Sequence, residues 1–212
     1  MTKNEKALEV FKRLSKAIPN PKVELNFKTP FELLVATILA AQCTDKLVNT
    51  VTPALFKKYP TPKDMAAASA SDIDAFIIKV TFHSNKAKNI QAASNMIMDT
   101  YHGIVPKTME ELDALPGVAR KTANVVLGSA FGIASGIVID THGIRLSNKL
   151  GLTTEKDPVK IEQDLMKLIP KDKWIDFGHL LTLHGRYVCT ARPHTCENCP
   201  LGDLCPEYAK NI

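Results

Sequence analysis

Four cysteines crowd the C-terminal end of the chain. Cys189, Cys196, Cys199 and Cys205 are spaced C-x6-C-x2-C-x5-C within one compact loop. Thiolates bind soft metals and iron–sulfur clusters. Structural zinc usually takes two C-x-x-C knuckles set well apart, whereas here a single such pair is flanked by lone cysteines. The spacing therefore favours a cubane cluster, which is larger than one ion and suits a wrapped loop. Zinc and disulfides stay open as alternatives. Cys199 and Cys205 each precede a proline, which stiffens the chain beside a ligand. The fifth cysteine, Cys43, follows an apolar stretch and reads as a small buried residue. Arg186, Arg192 and Lys210 flank the loop. They form either a solvated face or a patch that touches phosphate.

A second group of residues lies in Leu115-Pro116-Gly117-Val118-Ala119-Arg120-Lys121-Thr122-Ala123. One helix ends near Leu115, Gly117 permits a turn that other residues resist, and a new helix starts near Val118. Free N–H groups at a helix start can bind phosphate, helped by the helix dipole. A plain connection between two core helices would look much the same. Lys121 falls in the first turn. The positive helix end and neighbouring Arg120 disfavour an ammonium there, and a neutral amine is the form that attacks an electrophilic carbon. Asp140 follows the apolar Ile137-Val138-Ile139 and precedes Thr141-His142. It is either an N-cap, a carboxylate that assists chemistry by charge or proton transfer, or both.

The elements that must position these groups are helical almost throughout. Leu8, Phe11, Leu14 and Ile18 recur at helical steps and predict a first helix ending at Pro19. Thr29-Pro30-Phe31-Glu32 has a cap, a proline at the first helical position and a glutamate three after the cap. Thr61, Ser71 and Thr108 open variants of that grammar. Further helices are expected at about 46–58, 85–100, 118–131, 141–149, 158–168 and 172–187. Only Ile137-Val138-Ile139 has the look of a short extended segment. The expectation is an all-α protein in two lobes, with a boundary between Gly132 and Gly136.

Hydrophobic residues make up 45% of the 212, enough for a real core, and a net charge of +5 permits an anionic partner without demanding one. The N-terminus is polar, and the longest apolar run, Phe31 to Ala41, is too short for a bilayer. These features point away from the membrane and towards the cytosol, where thiols stay reduced.

Taken in order, these segments resemble the bacterial endonuclease III family, helix–hairpin–helix DNA glycosylases and abasic-site lyases with a [4Fe-4S] cluster. The resemblance runs from Glu24-Leu25-Asn26-Phe27 and Pro30-Phe31-Glu32-Leu33-Leu34 through Ala41-Gln42 with Thr44-Asp45. It continues through the hairpin with Lys121 and Asp140-Thr141-His142, and ends with Leu183-His184-Gly185-Arg186 and the cysteines. It implies a six-helix lobe at 22–133 and a discontinuous cluster lobe at 1–21 and 134–212. Lys121 matches the family's nucleophile, Asp140 its catalytic aspartate and the four cysteines its cluster ligands. Contacts to double-stranded DNA are implied for Gln42, Phe82, His83, Gly117, Ala119, Arg120, His142, Arg186 and Arg192.

The implied activity is removal of oxidised pyrimidines followed by β-elimination through a lysine Schiff base. A monomer working at the bacterial nucleoid, in the cytoplasm, is implied as well. Relatives that excise a mismatched normal base without cutting generally lack a lysine at the position of Lys121. A non-catalytic DNA-binding protein would need neither Lys121 nor Asp140, and an iron–sulfur electron carrier would have fewer helices.

Three departures from the family pattern are visible. Ala119 stands where a second hairpin glycine is usual. Thr81-Phe82-His83-Ser84-Asn85-Lys86 replaces a Gly-Leu-Tyr-Asn-like loop, leaving Phe82 as an apolar wedge and His83 to stack or donate. Gly143 replaces a bulky apolar residue, which is expected to loosen the helix start after Asp140.

Overall fold

A computed structural model describes residues 1–192, 196–197 and 199–208; Lys210 lies outside them. Among these residues there are eleven α-helices and no strand. The chain divides into two compact units, Glu24–Ile133 and a discontinuous one made of Met1–Val23 and Ala134–Ile212.

The continuous unit holds α2 (Pro30–Ala40), α3 (Asp45–Lys58), α4 (Pro62–Ala67), α5 (Ala70–Ile77), α6 (His83–Tyr101), α7 (Met109–Asp113) and α8 (Arg120–Phe131). Helix α2 is its centre: every residue from Phe31 to Leu39 is buried, Glu32 and Thr37 included. The Thr37 hydroxyl disposes of its proton locally, donating to Leu33 O at 2.7 Å. Thr29, Thr61 and Thr108 cap their helices as their grammar predicts. Helix α5 differs. Its cap is Ser69, which forms a capping box with Asp72, and not Ser71. Both serines have an aspartate three residues on, so the spacing could not choose. The register that buries Ile73 and Ile77 completely is the one adopted.

The discontinuous unit holds α1 (Lys3–Ala17), α9 (Thr141–Lys149), α10 (Pro158–Leu168) and α11 (Trp174–Tyr187). Ala7, Val10 and Leu14 of α1 pack into one core with Leu146, Ile161, Leu165, Phe177 and Leu181. Cys189, Leu201 and Leu204 of the cysteine loop belong to the same core. Arg13 of α1 also holds the loop from outside, donating to Asp203 Oδ2 at 3.0 Å and to Pro200 O at 3.3 Å. Ile137, Val138 and Ile139 are buried but join no sheet; they form an irregular apolar lead into α9.

Candidate functional site

The hairpin turn is built on backbone conformation. Gly117 has φ +77°, in the left-handed region, and a Cβ added there would sit 2.8 Å from Asn89 Cβ on α6. Ala119 has φ −114° and ψ 167°, an extended conformation open to any residue. The glycine missing at that position is therefore not needed for the fold of the turn. The turn closes through Val118 N–H donating to Leu115 O at 3.0 Å, and α8 begins at Arg120, two residues after the predicted start.

Ala119 is the N-cap of α8 and offers no side-chain acceptor to the first N–H groups. Most other helices place Thr, Ser or Asp there: Thr2, Thr29, Thr44, Thr61, Ser69, Thr108, Asp140 and Asp157 each accept a backbone N–H bond. A helix start without a capping side chain leaves its donors to an outside anion. Lys121 lies one residue inside this helix and is exposed, while Ala123 to Leu127 behind it are buried.

Gln42 and Phe82 occupy the two loops expected to meet the gap in the duplex. Both are exposed, and both take left-handed backbone without being glycine, at φ +55° and +57°. Phe82 is 59% exposed, an unusual state for so large an apolar ring. His83 is half-buried, with one ring nitrogen engaged. Its Nδ1 lies 2.6 Å from Asp74 Oδ1, which pins the first residue of α6 to α5. Sequence reading missed Lys86. This lysine is only 6% exposed, and its Nζ donates to Leu39 O at 2.8 Å and Ala41 O at 2.6 Å. The signal was present in the pattern: Lys86, Ile90, Ala93 and Ile97 share the buried face of α6. Cys43, expected to be buried, is half-buried and close enough to Lys86 to act on it electrostatically.

In the discontinuous unit, Asp140 caps α9: its Oδ1 accepts from Gly143 N–H at 2.8 Å. The helix start is thus closed, despite Gly143. Asp140 is half-buried and follows the buried Ile137-Val138-Ile139 wall. His142 is half-buried, and its Nδ1 lies 3.2 Å from Arg145 Nη2. Gly185 on α11 admits it, since a Cβ at that position would meet His142 Cβ at 2.6 Å. Arg186 is half-buried and Arg192 exposed, and each has interactions within the protein. Lys121 and Asp140 belong to different units.

The cysteine loop has the chemistry of a soft-metal site. Cys189 and Cys196 are buried, Cys199 and Cys205 half-buried, and none is in a disulfide. Burial above all pushes the thiols of Cys189 and Cys199 upward, with repulsion from the other cysteines adding to it. Arg145 and Lys149 act the other way on Cys189. Arg145 donates to Cys189 O at 2.6 Å and to Gly185 O at 3.0 Å, and Lys149 pairs with Glu207 at 3.2 Å. Among the described residues no three His, Cys, Asp or Glu converge closely enough for a single ion. Four cysteines in one loop, with Arg145 and Lys149 beside Cys189, nevertheless have the donor chemistry for a negatively charged sulfur-bound group.

Comparison with known proteins places this arrangement. The family model for the HhH-GPD superfamily of base excision DNA repair proteins matches residues 35–171. Endonuclease III of Synechocystis sp. is 51% identical over 97% of this chain and 94% of its own length. A solved structure described as a trapped endonuclease III–DNA covalent intermediate, an estranged-adenine complex, is 42% identical. It superposes with a TM-score of 0.93, covering 99% of each chain. A thermostable thymine-DNA glycosylase shares the fold, with a TM-score of 0.87 at 22% identity and 98% coverage of each chain.

Proposed function

The chain belongs to the endonuclease III family of the HhH-GPD superfamily of base excision DNA repair proteins, and from that premise we propose how its own residues excise a damaged base and cut the strand. The observation that carries the reading is the exposed Lys121, one residue inside a helix start with no capping side chain. Phosphate binds the N–H groups of the turn at Gly117 and Ala119, and the amine is thereby held beside the same backbone. Arg120, His142, Arg186 and Arg192 add contacts to the strand. Gln42 and Phe82 fill the gap left by the extruded nucleotide, whose C1′ is inaccessible within the stack.

Unprotonated Lys121 attacks C1′, and the N-glycosidic bond breaks with its electron pair leaving on the base. Asp140 stabilises the positive charge that develops on the sugar. Opening of the sugar ring gives a Schiff base, which acidifies the C2′ proton. Loss of that proton expels the 3′ phosphate oxygen, and hydrolysis releases Lys121. The lesions that fit are oxidised pyrimidines and abasic sites in double-stranded DNA. Cys189, Cys196, Cys199 and Cys205 are suited to a [4Fe-4S] cluster, whose part is to shape the loop. A monomer at the bacterial nucleoid, in the cytoplasm, fits this work; no described helix is long and apolar enough to cross a membrane.

Borohydride trapping tests the nucleophile. Wild type with an abasic-site duplex should give a covalent adduct and Lys121→Ala should give none. Equal trapping by the variant would remove Lys121 from the mechanism.

A further inference from the structure

A buried lysine without a carboxylate is costly, because removing an ammonium from water must be compensated by hydrogen bonds. Lys86 is 6% exposed, no carboxylate pairs with it among the described residues, and burial lowers its pKa. What compensates it are two carbonyls at the end of α2, Leu39 O at 2.8 Å and Ala41 O at 2.6 Å. Those are the carbonyls a helix leaves without intrahelical partners, at its negative end. Lys86 is thus a cationic cap for α2, supplied by another helix.

The place of this cap is informative. Ala41 is the residue before Gln42, which holds φ +55°. At its other end Lys86 belongs to the first turn of α6, where its N–H donates to Phe82 O at 3.1 Å, and Phe82 holds φ +57°. Left-handed backbone at non-glycine residues is strained and persists only where its surroundings over-determine it. The Lys86 side chain supplies that restraint at Ala41, and it does so from the helical turn that begins at Phe82.

We infer that Lys86 is a positioning residue that locks the Gln42 loop to the Phe82 loop, so that both enter the duplex as one rigid wedge. The inference rests on the proposed gap-filling role of Gln42 and Phe82. It assigns Lys86 no contact with DNA and no proton transfer. Its effect on extrusion passes through Ala41 to Gln42.

A double-mutant cycle tests this. Single-turnover excision of an oxidised pyrimidine is measured for wild type, Gln42→Ala, Lys86→Met and the double variant, with 2-aminopurine beside the lesion reporting extrusion. Each single change should slow extrusion and excision by about tenfold, the scale of coupling between groups in contact. The double variant should be no slower than Gln42→Ala alone, because Lys86 acts through the same loop. Multiplying losses of about a hundredfold would overturn the inference while leaving Gln42 its role. An unaffected Gln42→Ala would instead overturn the gap-filling reading and the inference with it. Lys86→Gln, which keeps donors without the charge, enters the same cycle if the methionine variant fails to fold.

Discussion

The two small residues of the hairpin turn are not equivalent. Gly117 needs its missing Cβ twice, for φ +77° and for the approach of Asn89. Gly117→Ala should cost about 1–3 kcal/mol of stability, since neither the strain nor the clash can relax cheaply. Ala119 is already in an extended conformation. Ala119→Gly, which would restore the glycine usual in the family, gains no native contact and loosens the unfolded chain. It should cost about 0.4–1 kcal/mol. Thermal unfolding of the two variants decides this, and a Gly117→Ala protein as stable as wild type would contradict the geometry. The turn at Gly117 and the place of Lys121 just inside the next helix were readable from the sequence, because a glycine turn opening a helix is a local pattern. Lys86 was harder to see: lysine is a surface residue by default, and only its period on α6 marks it as internal.

At the scale of elements, helix starts were the most legible feature, because a cap and its partner lie three residues apart in one segment. Thr29, Thr61 and Thr108 illustrate this, and Ser69 shows the ambiguity when two serines share the spacing. The left-handed backbone of Gln42 and Phe82 was not legible, because no glycine or asparagine advertises it. Asp140 is where capping and the proposed chemistry coincide, and the two can be separated. Asparagine caps nearly as well as aspartate, so Asp140→Asn should keep the bond from Gly143 N–H and change stability by less than about 0.5 kcal/mol. Asp140→Ala should lose about 1 kcal/mol. Excision should fall by about a hundredfold or more in both, because both lose the charge. Full excision by Asp140→Asn, measured under single-turnover conditions, would reduce Asp140 to a cap.

For the molecule as a whole, the discontinuous unit depends on both ends of the chain. Ala7, Val10 and Leu14 share a core with Cys189 and Leu204, a pairing that no local pattern announces. Charge behaves differently, because +5 spread over 212 residues is a weak field. Binding should therefore depend on where the cations stand more than on how many there are. Each phosphate neutralised releases counterions and steepens the fall of affinity with salt by about one unit on logarithmic axes. Arg192, exposed beside the cysteine loop, is proposed to meet phosphate. Lys12, with 79% of its side chain exposed and Glu9 3.6 Å away, has no such role. Arg192→Ala and Lys12→Ala lower net charge equally. On the Lys121→Ala background, with an abasic-site duplex titrated from about 50 to 200 mM salt, Arg192→Ala should flatten the slope by about one unit. Lys12→Ala should leave it unchanged. Equal flattening by both would mean that the duplex responds to the protein's overall charge, and the phosphate contact proposed for Arg192 would have to be given up.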